Sequence, residues 1–158
     1  MTTVIVRQYI PEDAKHLVNI YYYTIHKINI QDYTEDQVNA WAPPSSLKLT
    51  GWKKKWETIK PLIALIDNKI VGFTELEANG HIDCFYVHHE YQRVGIGSSL
   101  MNAVYNKASD LNIKRLFAEV SITVKPFFES KGFKVVKQQI KDIRGVNLTN
   151  FIMEKILP

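Results

Sequence analysis

Residues 92–99 read Gln92-Arg93-Val94-Gly95-Ile96-Gly97-Ser98-Ser99. A run rich in β-branched and aromatic residues, 81–87, comes before them. After them Leu100, Met101, Val104, Ala108 and Leu111 share one helical face, which predicts a helix over 98–111. The segment is therefore a strand-to-helix turn. Gly95 and Gly97 let the backbone turn tightly and expose its N–H groups. With the start of the following helix, those amides form a concavity suited to an anion. Ser98 and Ser99 add hydroxyls, and Arg93 adds charge. No Gly-Lys-Ser/Thr follows, so this is not a nucleotide P-loop. The third glycine of a dinucleotide fingerprint is also missing.

Outward from this loop, residues 115–120 read as a strand. With 81–87 and the helix they make a βαβ unit, whose strands should be parallel with a right-handed crossover. Upstream, 62–66 and 69–76 are β-rich and lead into 81–87 as an antiparallel meander. Asp67-Asn68 and Asn79-Gly80 are its turns, the latter expected to be type I′. The chain opens with the strand-like Val4-Ile5-Val6-Arg7-Gln8-Tyr9. After Pro11, Ala14, Leu17, Val18 and Tyr21 mark a helix face. Thr34 to Gln37 fits a capping box for a second helix, which Pro43-Pro44 stops. Thr123 can cap a short helix through Ser130, ended by Gly132. Residues 135–139 and 151–156 are the last strands, with a turn at Arg144-Gly145. The class is mixed α/β, in the order β-α-α-β-β-β-α-β-α-β-β. Trp52, Trp56 and Ile59 share a helix face. That puts Lys53, Lys54 and Lys55 on the solvated side and argues against a nucleic-acid patch.

The composition is that of a folded globular chain: 158 residues, 46% apolar and 23% charged. It excludes a disordered chain or a coiled coil and suits one domain over 1–158. No apolar run approaches the roughly 20 residues of a membrane helix. The start, MTTVIVRQYIPEDA, shows no leader pattern. Cys84 is the single cysteine, so no intrachain disulfide forms. A reducing, cytoplasmic setting is expected. The net charge of +4 suits an anionic ligand and is too weak to argue for nucleic acid. His88-His89 lack spaced partners for a tetrahedral site, so no metal is expected.

Gln92-Arg93-Val94-Gly95-Ile96-Gly97 resembles the acetyl-CoA loop of the GNAT N-acetyltransferase superfamily. Tyr86 to Tyr91 matches the lead-in to that loop. Pro126 to Phe133, a short helix ending in Gly-Phe, matches a second signature. Residues 25–43 (Ile25-His26, Asp32-Tyr33-Thr34, Ala40 to Pro43) and 144–155 (Arg144 to Phe151, Met153-Glu154-Lys155) resemble a bacterial branch of poorly defined substrate. The resemblance implies a single-domain GNAT fold in which the strands at 81–87 and 115–120 splay apart to admit acetyl-CoA. The pyrophosphate would sit on the amides of 94–98, and pantetheine would bond the backbone of Phe85, Tyr86 and Val87. Ser99, Ser121 and Phe128 would complete the cofactor site.

The implied reaction is acetyl transfer to an amine by direct attack in a ternary complex. A lysine-like ammonium, with a pKa of about 10.4, costs roughly 4.6 kcal/mol to deprotonate at pH 7, so a base is needed. Asp83 and His81 fall where relatives place one. Otherwise Asp83 is an ion-paired edge residue and His81 an exposed turn histidine. Alternation along the strand points Cys84 away from Asp83, as a buried structural thiol. Phe128 stands where many relatives carry a tyrosine acid; Tyr86, Tyr91 or Tyr105 could substitute. The aromatic region before residue 46 offers Tyr22, His26, Asp32, Tyr33 and Trp41 as contacts for a small-molecule amine. Peptide acetylation and a non-catalytic acyl-CoA sensor are the alternatives. A monomer or homodimer is expected.

Overall fold

A computed structural model describes residues 3–158; Met1 and Thr2, the first two residues of the stretch read above for a leader pattern, lie outside it. The strands are β1 (Ile5–Gln8), β2 (Leu62–Ile66), β3 (Lys69–Leu76), β4 (Ile82–Val87), β5 (Arg115–Ser121), β6 (Lys134–Ile143) and β7 (Val146–Ile156). The helices are α1 (Ala14–Lys27), α2 (Glu35–Trp41), α3 (Leu49–Thr58), α4 (Ile96–Asp110) and α5 (Lys125–Ser130). A four-stranded antiparallel sheet runs β1-β2-β3-β4, and a three-stranded one runs β5-β7-β6. Their junction is one parallel bridge, His81 to Phe117. Beyond it β4 and β5 part, as a splayed pair should.

Gly80 closes the joined end. Its φ is +94°, and a Cβ there would fall 2.0 Å from the Arg115 carbonyl oxygen. Only glycine lets the chain touch β5 at that point. The Gly80 carbonyl accepts the Phe117 N–H at 3.1 Å.

Helix α1 packs on β3 and β4, with Leu17, Val18 and Ile20 meeting Trp56, Ile63 and Phe73. Helix α4 covers β2 and β3, placing Ile96 and Leu100 on Ala64 and Val71. With helices on both faces, β3 is buried from Val71 to Leu76. Thr34 caps α2 as the sequence predicts: its Oγ1 accepts the Gln37 N–H, and Gln37 Oε1 accepts the Thr34 N–H.

Several expectations are corrected. A third early helix, α3, is present; the two-helix order omits it, although the Trp52/Trp56 spacing marks its face. Helix α4 starts at Ile96, not at 98, because the left-handed Gly95 (φ +92°) is its N-cap. The primed-type turn lies at Asp67-Asn68, where both φ values are positive. Asn79 is not left-handed; the Asn79-Gly80 connection is a wider turn closed by Glu77 N–H to the His81 carbonyl at 2.9 Å. Strands β6 and β7 extend to the Arg144-Gly145 turn itself.

Candidate active site

The parting of β4 and β5 leaves a cleft of about 360 Å³. Its floor comes from a β-bulge. Thr74 pairs with Phe85 and Glu75 with Asp83, so Cys84 is the extra residue. Cys84 has φ +53°, rare for a residue with a Cβ. Thr74 Oγ1 donates to the Cys84 carbonyl at 2.7 Å, and Asp83 Oδ1 accepts the Cys84 N–H at 3.0 Å. The bulge cancels the alternation assumed for 81–87. Asp83 and Cys84 do not face apart; both join Glu75, their ligating atoms within 4.8 Å of one another.

Lys55 reaches this cluster from α3. Its Nζ lies 2.9 Å from Glu75 Oε1 and 2.9 Å from Asp83 Oδ2. The expectation of a solvated Lys55 is therefore corrected: one turn of helix below Trp52 and beside Trp56, it points inward. Glu75 is fully buried and also accepts the Trp56 indole N–H at 3.2 Å. Burial pushes the Glu75 carboxyl up, against the opposing pull of Lys55. For Lys55, burial lowers the pKa, but Cys84, Glu75 and Asp83 outweigh it, so it is raised. Asp83 is ion-paired, as its alternative reading held, and it also lines the cleft.

His81 lies outside the cleft lining. Its Nδ1 pairs with Glu77 Oε2, and its ring stacks on Phe117 at the joined end of the strands. Burial, with Glu75 and Asp83 nearby, pushes the Cys84 thiol well up, so it stays neutral near pH 8. Cys84 should therefore react with a disulfide reagent at pH 8 at less than about a tenth of the rate of a free thiol. Equal rates for folded and urea-unfolded protein would contradict that.

Cofactor candidates divide by what each side chain does. The N–H groups of Ile96, Gly97 and Ser98 precede the first α4 amide bond, Ser99 N–H to the Gly95 carbonyl at 3.1 Å. They are free helix-start donors. Gly95 and the exposed Arg93 (φ +60°) and Val94 shape the approach. The Ile96 side chain is in the core, so its amide alone is offered. Gln92 braces the loop: its Nε2 donates to the carbonyls of Val87 (2.8 Å) and His88 (3.2 Å). The Val87 carbonyl also accepts Thr24 Oγ1 at 2.9 Å. Phe85 and Phe128 are cleft walls 5.5 Å apart between ring centres. Ser121 lines the cleft and its Oγ accepts from Asn29 Nδ2 at 3.3 Å.

Sequence reasoning missed Lys131 and Asn150. Lys131 Nζ donates to Ser98 Oγ at 2.8 Å, placing a cation at the start of α4. Its signal is its position in Lys131-Gly132-Phe133. Asn150 lines the cleft, and its buried Oδ1 has no hydrogen-bond partner among the described residues. The glycine loop itself is not part of the cleft lining; Gly97 lies against Phe127, whose ring is 5.4 Å from Phe85 in the cleft wall. The orphaned buried amide oxygen inside the cleft and the helix-start amides of α4 beyond Phe127 fit an elongated ligand with amides at one end and pyrophosphate at the other.

Of the residues offered as acceptor contacts, Tyr33 and Trp41 line the cleft. Tyr33 bridges two elements: its Oη donates to the Thr149 carbonyl at 2.7 Å and accepts the Ile122 N–H at 2.9 Å. Tyr22, His26 and Asp32 do not line the cleft. Tyr22 stacks on His26 at 4.1 Å, and His26 Nε2 is bonded to the Ala42 carbonyl, closing the α1–α2 junction. Asp32 is exposed after a 3-10 turn. The helical phase of α1 instead turns Tyr21 inward, against Trp52 at 4.9 Å and Tyr86 at 5.0 Å. Of the three substitute tyrosines, Tyr86 reaches the cleft; Tyr105 Oη bonds the Lys131 carbonyl, and Tyr91 lies under Lys69. His88 and His89 do gain a neighbour, Glu90, with ligating atoms within 4.8 Å, though His88 Nδ1 already accepts the Glu90 N–H.

A splayed strand pair with a glycine-shaped helix start beside it defines an acyl-CoA-dependent acetyltransferase architecture. Residues 29–155 match the model of the Acetyltransferase (GNAT) domain, and the chain belongs to that family. It is 34% identical to Escherichia coli (strain K12) "uncharacterized N-acetyltransferase YafP", covering 97% of this chain and 96% of that one. It is 30% identical to a GCN5-related N-acetyltransferase from Rhodopseudomonas palustris, with a TM-score of 0.93 and coverage of 99% and 98%. The PaiA N-acetyltransferase of Thermoplasma acidophilum, solved in complex with coenzyme A, shares the fold at 21% identity and TM-score 0.73, over 98% of this chain and 99% of that one. The protein is an acyltransferase. No helix among the described residues is long and apolar enough to cross a membrane.

Proposed function

We propose that the protein transfers the acetyl group of acetyl-CoA to the primary amine of a small molecule, by direct attack in a ternary complex. The observation that carries this reading is the aromatic cleft of about 360 Å³, walled by Tyr21, Tyr33, Trp41 and Trp52, with the Asp83 carboxylate at its floor. That volume also has to take the acetyl end of the cofactor along Phe85 and Phe128, and what remains suits a small acceptor.

The amides of Ile96, Gly97 and Ser98 would hold the pyrophosphate, with the Lys131 ammonium to add charge there, and Phe85, Phe128 and Asn150 would flank the pantetheine arm. Bound acetyl-CoA supplies an activated acetyl thioester. As the neutral acceptor nitrogen bonds to the acetyl carbon, the carbon–sulfur bond would break with its electron pair leaving on the CoA sulfur, and Asp83 takes the proton that the nitrogen sheds. Lys55, anchored by the buried Glu75, fixes the Asp83 carboxylate in the cleft. His81 has no direct part. Burial raises the Tyr86 phenol well above its usual value, so it stays a neutral O–H that can hydrogen-bond, but not protonate, a departing thiolate whose thiol pKa is about 8.5.

Acetyl-CoA at about 100 times its Kd should stabilise the protein by about 2.7 kcal/mol, a Tm rise of roughly 5–10 °C. CoA release is then measured over arylamines, alkylamines, polyamines, aminoglycosides and lysine peptides. Turnover of small amines and not of peptides is the expected result. Peptides alone as acceptors would refute the reading; no thermal shift would refute the cofactor site.

A further inference from the structure

A second chamber of about 440 Å³ adjoins the cleft and shares Tyr21, Trp41 and Trp52 with it as a common aromatic wall. Its outer side carries Lys48 and Arg144 together with small polar residues, and no carboxylate lines it. Neither cation is in an ion pair among the described residues. The Arg144 guanidinium is nonetheless held in place. It projects from the β6–β7 turn, and its Nη1 donates to the Ala40 carbonyl near the end of α2 at 2.7 Å, leaving its other N–H groups available. The nearby Asp142 is committed to the turn, accepting the Gly145 N–H at 3.0 Å.

Tyr21 ties the two chambers together. Burial raises its phenol, Cys84 and Asp83 raise it further, and Arg144 and Lys55 pull it down. Asp83 lines the cleft and Arg144 lines the adjoining pocket, and Tyr21 is common to both linings. A ligand crossing that wall meets a carboxylate where its amine must lose a proton and an unpaired guanidinium at its far end.

We infer that the acetyl acceptor is an amino acid in the broad sense: an amine whose remote end carries a carboxylate, gripped by Arg144 with Lys48 alongside, its body lying against Tyr21, Trp41 and Trp52. The planar guanidinium suits a carboxylate better than any neutral group, since two parallel charge-assisted hydrogen bonds form. A second ammonium at the remote end is repelled by both cations. The inference rests on the acetylation of small amines proposed above.

Two matched pairs test it: 4-(aminomethyl)benzoate against benzylamine, and 5-aminopentanoate against pentylamine. Each pair differs only by the carboxylate. In CoA release by the wild-type protein, the acid of at least one pair should have a kcat/KM at least about 10-fold higher. Arg144→Ala should bring that ratio close to one, and Arg144→Glu should reverse it. The acetyl-CoA thermal shift of each variant reports that the fold and cofactor site survive. Equal kcat/KM within both pairs, or a preference that persists in Arg144→Glu, overturns the inference. Calorimetric binding of 4-(aminomethyl)benzoate and benzylamine to the CoA-saturated protein separates the two levels. Arg144-dependent binding of the acid without turnover of any amine supports the anion site while refuting acetylation. Binding of the acid no tighter than that of benzylamine refutes the anion site.

Discussion

Asp83→Asn should lower kcat by at least about 100-fold, the scale of a lost general base, while the acetyl-CoA thermal shift stays unchanged. The amide keeps the size of the side chain but cannot take a proton. Asp83 lines the cleft over the bulge, and the amides proposed for pyrophosphate start at Ile96, in another part of the chain. Chemistry and cofactor binding should therefore separate cleanly. Lys55 retains Glu75 as a partner in the variant, so the local fold has a second anchor. Wild-type kcat in Asp83→Asn across pH 6–9 would remove Asp83 from the reaction. An equal loss of acetyl-CoA stabilisation would show that the bulge itself had collapsed.

Lys55→Met should destabilise the protein by about 3–5 kcal/mol, the usual consequence of leaving a buried charge without its partner. At roughly 2–4 °C per kcal/mol for a chain of this size, Tm should fall by about 10 °C. The pH dependence identifies the cause. Burial already raises the Glu75 carboxyl, and Lys55 opposes that rise. Without Lys55 the folded-state value climbs further above its unfolded one. A group raised in this way favours the folded state while protonated and loses that contribution as pH rises through its folded value. The Tm gap between variant and wild type should thus be small near pH 4 and widen towards neutrality. A gap independent of pH would mean that lost packing against Trp52, rather than the Glu75 charge, is responsible. A double variant, Lys55→Met with Glu75→Gln, should recover part of the loss at pH 7.

The same two residues show where reading a linear sequence stops. Nothing in Ile70-Val71-Gly72-Phe73-Thr74-Glu75-Leu76 marks Glu75 except a carboxylate in an apolar run. The Trp52–Trp56 spacing marks a helix face correctly, yet Lys55 sits at the edge of that face, and whether it points to water depends on what α3 packs against. Tyr21 and Tyr22 pose the same problem. Adjacent on α1, they are about 100° apart around the helix axis, and only the docking of α1 onto β4 selects Tyr21 for the cleft. Tyr22, His26 and Asp32 lie in the same aromatic and polar stretch, whose composition does not encode that rotation.

What the sequence determined by itself is the glycine loop, the capping box at Thr34, the order of most elements and the splayed pair implied by the family resemblance. These rest on local backbone preferences: positive φ at glycine, side-chain capping within three residues, and apolar periods of two or 3.6. The tertiary structure decided the acceptor side. The bulge at Cys84 arises because β3 and β4 pair one residue out of step, a property of two strands together with no signature in either. It brings Asp83 and Cys84 to the same cluster. Lys55, Glu75 and Arg144, distant along the chain, acquire their roles only when α3 and the β6–β7 turn close around that floor. Burial and ion pairing are set by those contacts, and so is the difference between a surface charge and a binding group.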